Sequence, residues 1–66
     1  MPLIKFKKPL FTNVEFDGKS EKDLFDHPQI IAVEFSNDKE NQVDLIFNDG
    51  AIARNIDKSF FEVIWS

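Results

Sequence analysis

Read in steps of two from Ile4 to Phe16, the chain sets Ile4, Phe6, Leu10, Val14 and Phe16 on one face, with Lys8 and Thr12 between them. A period of two is what a half-buried β-strand requires, because successive side chains leave opposite faces of the pleat. The alternation returns in Ile31, Val33 and Phe35, in Val43, Leu45 and Phe47, in Ile52 and Ile56, and in Phe61, Val63 and Trp65. Nearly the whole chain is therefore read as sheet, and helical architectures are excluded as its main theme.

The breaks in this pattern divide it into elements. Pro9 cannot donate to a ladder, so the stretch Leu3 to Phe16 is expected to be two strands interrupted near Lys8-Pro9. Asp17-Gly18 reads as a turn, since glycine reaches positive φ without a Cβ clash. Ser20-Glu21-Lys22-Asp23 carries helix-start signals, with Ser20 as the N-cap and acids in the first turn. A short helix anchored by Leu24 and Phe25 is expected there, ending near Asp26 because the residue before Pro28 is pushed out of the α region. Two turns do not persist alone in water, so such a helix would have to pack on the sheet. Asn37 to Asn41 reads as a polar loop, and Asn48-Asp49-Gly50 as a hairpin joining Val43–Phe47 to Ala51–Ile56. Asp57-Lys58-Ser59 is a further turn before the last strand.

The expected fold is thus mainly β, a β-rich α+β domain. It is a curled antiparallel meander of five or six short strands, with one short helix between the second and third. Sixty-six residues without a repeat or a linker make a single small domain spanning 1–66. At this length only ~60% of the unfolded surface is buried, and no cysteine is present to staple it. Eight phenylalanines and one tryptophan must supply the packing instead. No apolar leader and no membrane-length apolar run occurs, and a cytoplasmic, membrane-free protein is expected.

Chemistry that needs particular residue sets is poorly supplied. His27 is the only histidine, so a zinc site would lack its second nitrogen or sulfur ligand. Its simplest reading is a helix-terminating residue beside Pro28. The loop Asn37 to Asn41 lacks the spacing of a calcium loop and contains Lys39. The two glycines, Gly18 and Gly50, form no phosphate cradle. Ser20, Ser36, Ser59 and Ser66 read as cap, strand-end, turn and terminal residues rather than nucleophiles. A body this small has little room for a substrate pocket of ~300 Å³ or more. The expectation is a protein that is not an enzyme, with no cofactor, metal or small-molecule substrate.

One surplus remains. With the inward faces filled, Leu3, Phe11, Ile30, Ile46, Phe60 and Ile64 are left on the opposite faces. Scattered singly they would be ordinary surface residues, but gathered together they would mark an interface. Phe11, Ile30, Ile46, Phe60 and Ile64 are accordingly the candidate partner surface. The corresponding function is a noncatalytic binding or regulatory module acting through an apolar sheet face, on another protein or as a homodimer.

Charge suggests an alternative. The formal net charge is −4, with Lys5, Lys7 and Lys8 on the first eight residues and all twelve acids on the rest. Glu34, Asp38, Glu40 and Asp44 could present phosphate-like charge, making the chain an acidic mimic that inhibits a DNA- or RNA-binding protein. The opposite idea, a weak nucleic-acid strand formed by Lys5, Phe6, Lys7 and Lys8, combines cations with an aromatic. Three lysines give little affinity, however, and lysines on an edge also guard against aggregation, so nucleic acid is disfavoured as a partner.

Overall fold

A computed structural model describes all residues from Met1 to Ser66. The chain is mainly β, with seven antiparallel strands in one sheet and no α-helix. The strands are β1 (Leu3–Phe6), β2 (Leu10–Phe16), β3 (Lys19–Phe25), β4 (Ile30–Ser36), β5 (Gln42–Phe47), β6 (Ile52–Asp57) and β7 (Phe61–Trp65). A single 3₁₀ turn, Lys58–Phe60, is capped by the Asp57 carboxylate, which accepts from the Ser59 N–H. The bonds from the Ser59 backbone and side chain hold the Asp57 carboxyl below the usual carboxylate range. No helix is long and apolar enough to cross a membrane.

The expected helix is replaced by β3. Asp17 and Gly18 take φ of 51° and 75°, the pair of left-handed residues that a two-residue hairpin turn needs to match strand twist. That turn sends the chain straight back along β2, pairing every residue from Phe16↔Lys19 to Leu10↔Phe25. The helix-start signals at Ser20 to Asp23 are local and weak, and seven cross-strand pairs outweigh them. An added Cβ at Gly18 meets nothing within 4 Å, so Gly18→Ala isolates the backbone term. It is expected to cost about 1–2 kcal/mol, measured by urea denaturation.

Strand order also departs from a simple meander, running β3-β2-β6-β5-β4-β1-β7. β4, β5 and β6 do form one, and their last turn contains Asn48-Asp49-Gly50, with Gly50 at φ 91°. But β1 and β2 do not pair with each other. The Lys7-Lys8-Pro9 connection lets β1 insert between β4 and β7 while β2 joins β6.

β4 belongs to both halves of the sheet. Its first residues pair on one edge with β1, as in Ile31↔Ile4, and its later ones on the other edge with β5, as in Phe35↔Leu45. The sheet consequently coils until distant strands meet across its interior. Phe25 of β3 stacks on Phe6 of β1 at 5.3 Å and on Phe47 of β5 at 5.2 Å between ring centroids. Phe61 of β7 meets Phe6 edge-on and stacks on Phe35. Around this aromatic column lie Ile4, Leu10, Val14, Val33, Val43, Leu45, Ala53 and Ile56.

Candidate interaction surface

The outer face is fixed by strand register. Leu3 stands opposite Ala32, Glu34 opposite Ile46, and Ile46 opposite Ile52. Ala32, two residues from Glu34, is thus the diagonal neighbour of Ile46, a separation of ~7–8 Å that large side chains bridge. At the other end Leu3 faces Trp65, whereas Ile4 faces Val63, which makes Ile64 the extra residue of a bulge beside Leu3. Ile52, Ile46, Ala32, Leu3 and Ile64 therefore trace an apolar stripe over β6, β5, β4, β1 and β7. Four inter-strand spacings make it ~19 Å long. Ile30, 55% exposed, flanks it on β4.

Of the five residues expected at a partner surface, Ile30, Ile46 and Ile64 fall on or beside this stripe. Phe11 does not, although it is 62% exposed. It pairs with Leu24 on the β2–β3 hairpin, and the Lys22 ammonium lies 5.3 Å from its ring centroid. Phe60 is half-buried in the 3₁₀ turn, packed on the core and covered by Lys8 at 4.5 Å. Its displacement follows from the turn, which breaks the alternation assumed from Phe60 onward.

Loose folding is not the source of the exposed apolar groups. The accessible surface is 4404 Å², against ~4,300 Å² for an ordinary monomer of this mass. Yet nine large hydrophobic residues are exposed, including Phe16, Phe35, Val63 and Trp65, which the alternation assigns to the interior. The β7 bulge turns Trp65 to the outer face opposite Leu3, Phe16 ends β2 beside its turn, and Val63 and Phe35 lie at the open side of β7, the outermost strand. There an inward-pointing residue has no further strand to cover it. A shallow groove of about 250 Å³ lies here, lined by Phe35, Val43, Phe61 and Val63 and flanked by the Lys58–Asp38 ion pair.

The acidic set separates. Glu34, Asp38 and Glu40 are exposed, but Asp44 is only 4% exposed. Leu45 faces Ala53 and Val43 faces Ile56, leaving Arg54 and Asn55 both opposite Asp44 in a bulge. Asn55 takes φ of 57° there, and its N–H donates to Asp44 Oδ1 at 2.8 Å. Asn37 Nδ2 donates to Oδ2 at 2.8 Å and Arg54 Nη1 at 3.4 Å, while Arg54 also reaches Glu15. The bonds from Asn37 and Asn55 hold the Asp44 carboxyl below the usual range, aided by the Arg54 and Lys39 charges and opposed by burial. Asp44 therefore organises the bulge and presents no charge to a partner. A different acidic surface appears around an open recess of about 470 Å³, more room than the length of the chain predicts, edged by Asp17, Glu21, Asp23 and Asp49, with Lys19 among them.

The cationic strand cannot stack a base, because Phe6 is wholly buried. Lys7 and Lys8 are exposed and Lys5 is half-buried opposite Glu62. His27 is exposed in the turn between β3 and β4, which the Gln29 N–H closes on the Asp26 carbonyl. Comparison with protein-family models, with curated proteins and with solved structures finds no match.

Proposed function

We propose that this chain is a small noncatalytic binding or regulatory module of the cytoplasm, acting through a protein interface on the outer apolar stripe. The observation that carries this reading is the stripe itself, an apolar line over five strands in which Leu3, Ala32, Ile46 and Ile52 are half-buried and Ile64 is exposed, on a chain whose total surface is that of a compact monomer. Apolar surface bordered by charge, here Lys5, Arg54 and Glu62 with Glu34 beside Ile46, is characteristic of recognition faces. A second reading, an acidic decoy for a nucleic-acid-binding protein, draws support from the four acids around the β2–β3 recess.

Affinity capture from host extract at low and high salt separates the two. An apolar interface gives a partner retained at high salt by the wild type and lost with Ile46→Asp and Ile64→Asp, both checked for folding by circular dichroism. A decoy gives capture that vanishes with salt, because exposed charges are screened beyond ~10 Å at 0.1 M, and that ignores both substitutions. The second pattern would overturn the interface.

A further inference from the structure

The two edges of the sheet are treated differently. β3 carries Lys19, Glu21, Lys22 and Asp23 along its seven residues, the charged guard that soluble proteins place on a free strand. β7 at the other edge reads Phe-Glu-Val-Ile-Trp, with one charged group and no lysine or proline. That single acid is matched internally by Lys5 directly opposite it. The backbone of β7 is also available. Lys7 N–H donates to the Phe60 carbonyl, so the alternation of an antiparallel ladder directs Glu62 toward β1 and leaves Phe61 and Val63 with outward N–H and C=O groups.

Resting on the proposed interface reading, we propose that β7 pairs antiparallel with β7 of a second copy of this chain, about a two-fold axis at Val63. Placed there, the axis lets the two Val63 residues exchange both hydrogen bonds and sets Glu62 against the second copy's Ile64. Moving it to Glu62 would oppose two carboxylates, so charge disfavours that register. Charge also favours this edge. All twelve acids lie in residues 9–66, while Lys5, Lys7 and Lys8 flank β7. The three lysines beside β7 thus offset part of the repulsion between two copies of net charge −4. A stable interface takes roughly 800 Å² from each partner, more than strand pairing alone removes. Phe35, Val63, Ile64 and Trp65, exposed by 36, 49, 43 and 61%, are the side chains at this edge that complete it.

Sedimentation equilibrium over a wide concentration range tests the pairing. The expected species has twice the 7.7 kDa chain mass, and the single Trp65 emission shifts to the red on dilution as its indole regains water. Val63→Lys brings two cations face to face on the axis and is expected to weaken association ~100-fold or more. A synthetic chain with N-methylated Val63 removes the outward donor and should be monomeric at the same concentrations, whereas Leu24→Lys on the guarded edge should leave the dimer intact. A wild type that stays monomeric overturns the pairing, and salt-resistant capture of another protein would still uphold the proposed function. A dimer broken by Ile46→Asp but indifferent to Val63→Lys and to N-methylation also overturns it, and assigns self-association to the outer stripe.

Discussion

Phe6→Ala is expected to leave the chain unfolded, or barely folded, at 25 °C. Phe6 is wholly buried, joins β1 to the far edge strand β3 through its stack on Phe25, and meets Phe61 of the neighbouring β7 edge-on. Truncating a buried phenylalanine costs ~3–5 kcal/mol, and aromatic pairs of this geometry are worth ~0.5–1.5 kcal/mol beyond their buried area. Scaling at ~0.05–0.15 kcal/mol per residue gives a chain of this length a total stability of only about 3–10 kcal/mol. The loss is thus comparable with everything that holds the fold. Loss of near-ultraviolet dichroism and collapse of amide dispersion in a nitrogen–proton correlation spectrum would register it. Phe6→Leu, which keeps most of the volume, should remain folded with a lower melting temperature. An unaltered melting curve for Phe6→Ala would show that the aromatic column does not hold the sheet together.

Asp44→Ala carries the next largest effect, through hydrogen bonding instead of volume. It strips the acceptor from Asn37 Nδ2 and the Asn55 N–H, and takes one partner from Arg54. Leaving such donors unmet costs ~1–3 kcal/mol, and the bulge that places Asn55 at positive φ loses its anchor. Asp44→Asn retains one acceptor oxygen and should lose less. The two variants also separate the charge contribution. Because the folded-state pKa of Asp44 is depressed, its stabilisation is complete above the unfolded value of ~3.9 and is lost as pH falls through the lower folded value. Urea denaturation between pH 7 and pH 2 should show wild-type stability declining in the acid range more steeply than that of Asp44→Asn. Asp57, also depressed by its bonds from Ser59, adds to the decline in both proteins. Parallel profiles would mean that the carboxylate is not coupled to folding.

How far these features are legible in the sequence depends on whether the rule that reads them is local. Alternation places Ile4, Phe6, Leu10, Val14, Val33, Val43, Leu45 and Phe47 inward, and all are buried. The break at Pro9 and the hairpin at Asn48-Asp49-Gly50 also follow from the chemistry of those residues. Period two fails where a bulge inserts an extra residue. Ile52 and Ile56 share a parity, yet Ile52 lies on the outer face and Ile56 inside, because Arg54 and Asn55 together oppose Asp44. The β3 segment fails differently. Its capping residues are real helix signals, but the left-handed Asp17-Gly18 pair and the full pairing of β2 with β3 outweigh them. The apolar stripe is legible only in part. Ile30, Ile46 and Ile64 are recognisable as surplus, but their juxtaposition depends on β1 lying between β4 and β7, and no local pattern announces that order.

The pairing of β1 with β7 joins residues 3–6 to residues 61–65, about as long a loop as this chain can close. The entropy of that closure is lost before the contact returns any stabilisation, which favours slow, all-or-none folding over stepwise growth from one end. A chain clipped on either side would forfeit Ile4 and Phe6, or Phe61, and with them the floor of the core. Loss of a few residues from either side should therefore unfold the whole sheet at once, a switch-like vulnerability set by its topology.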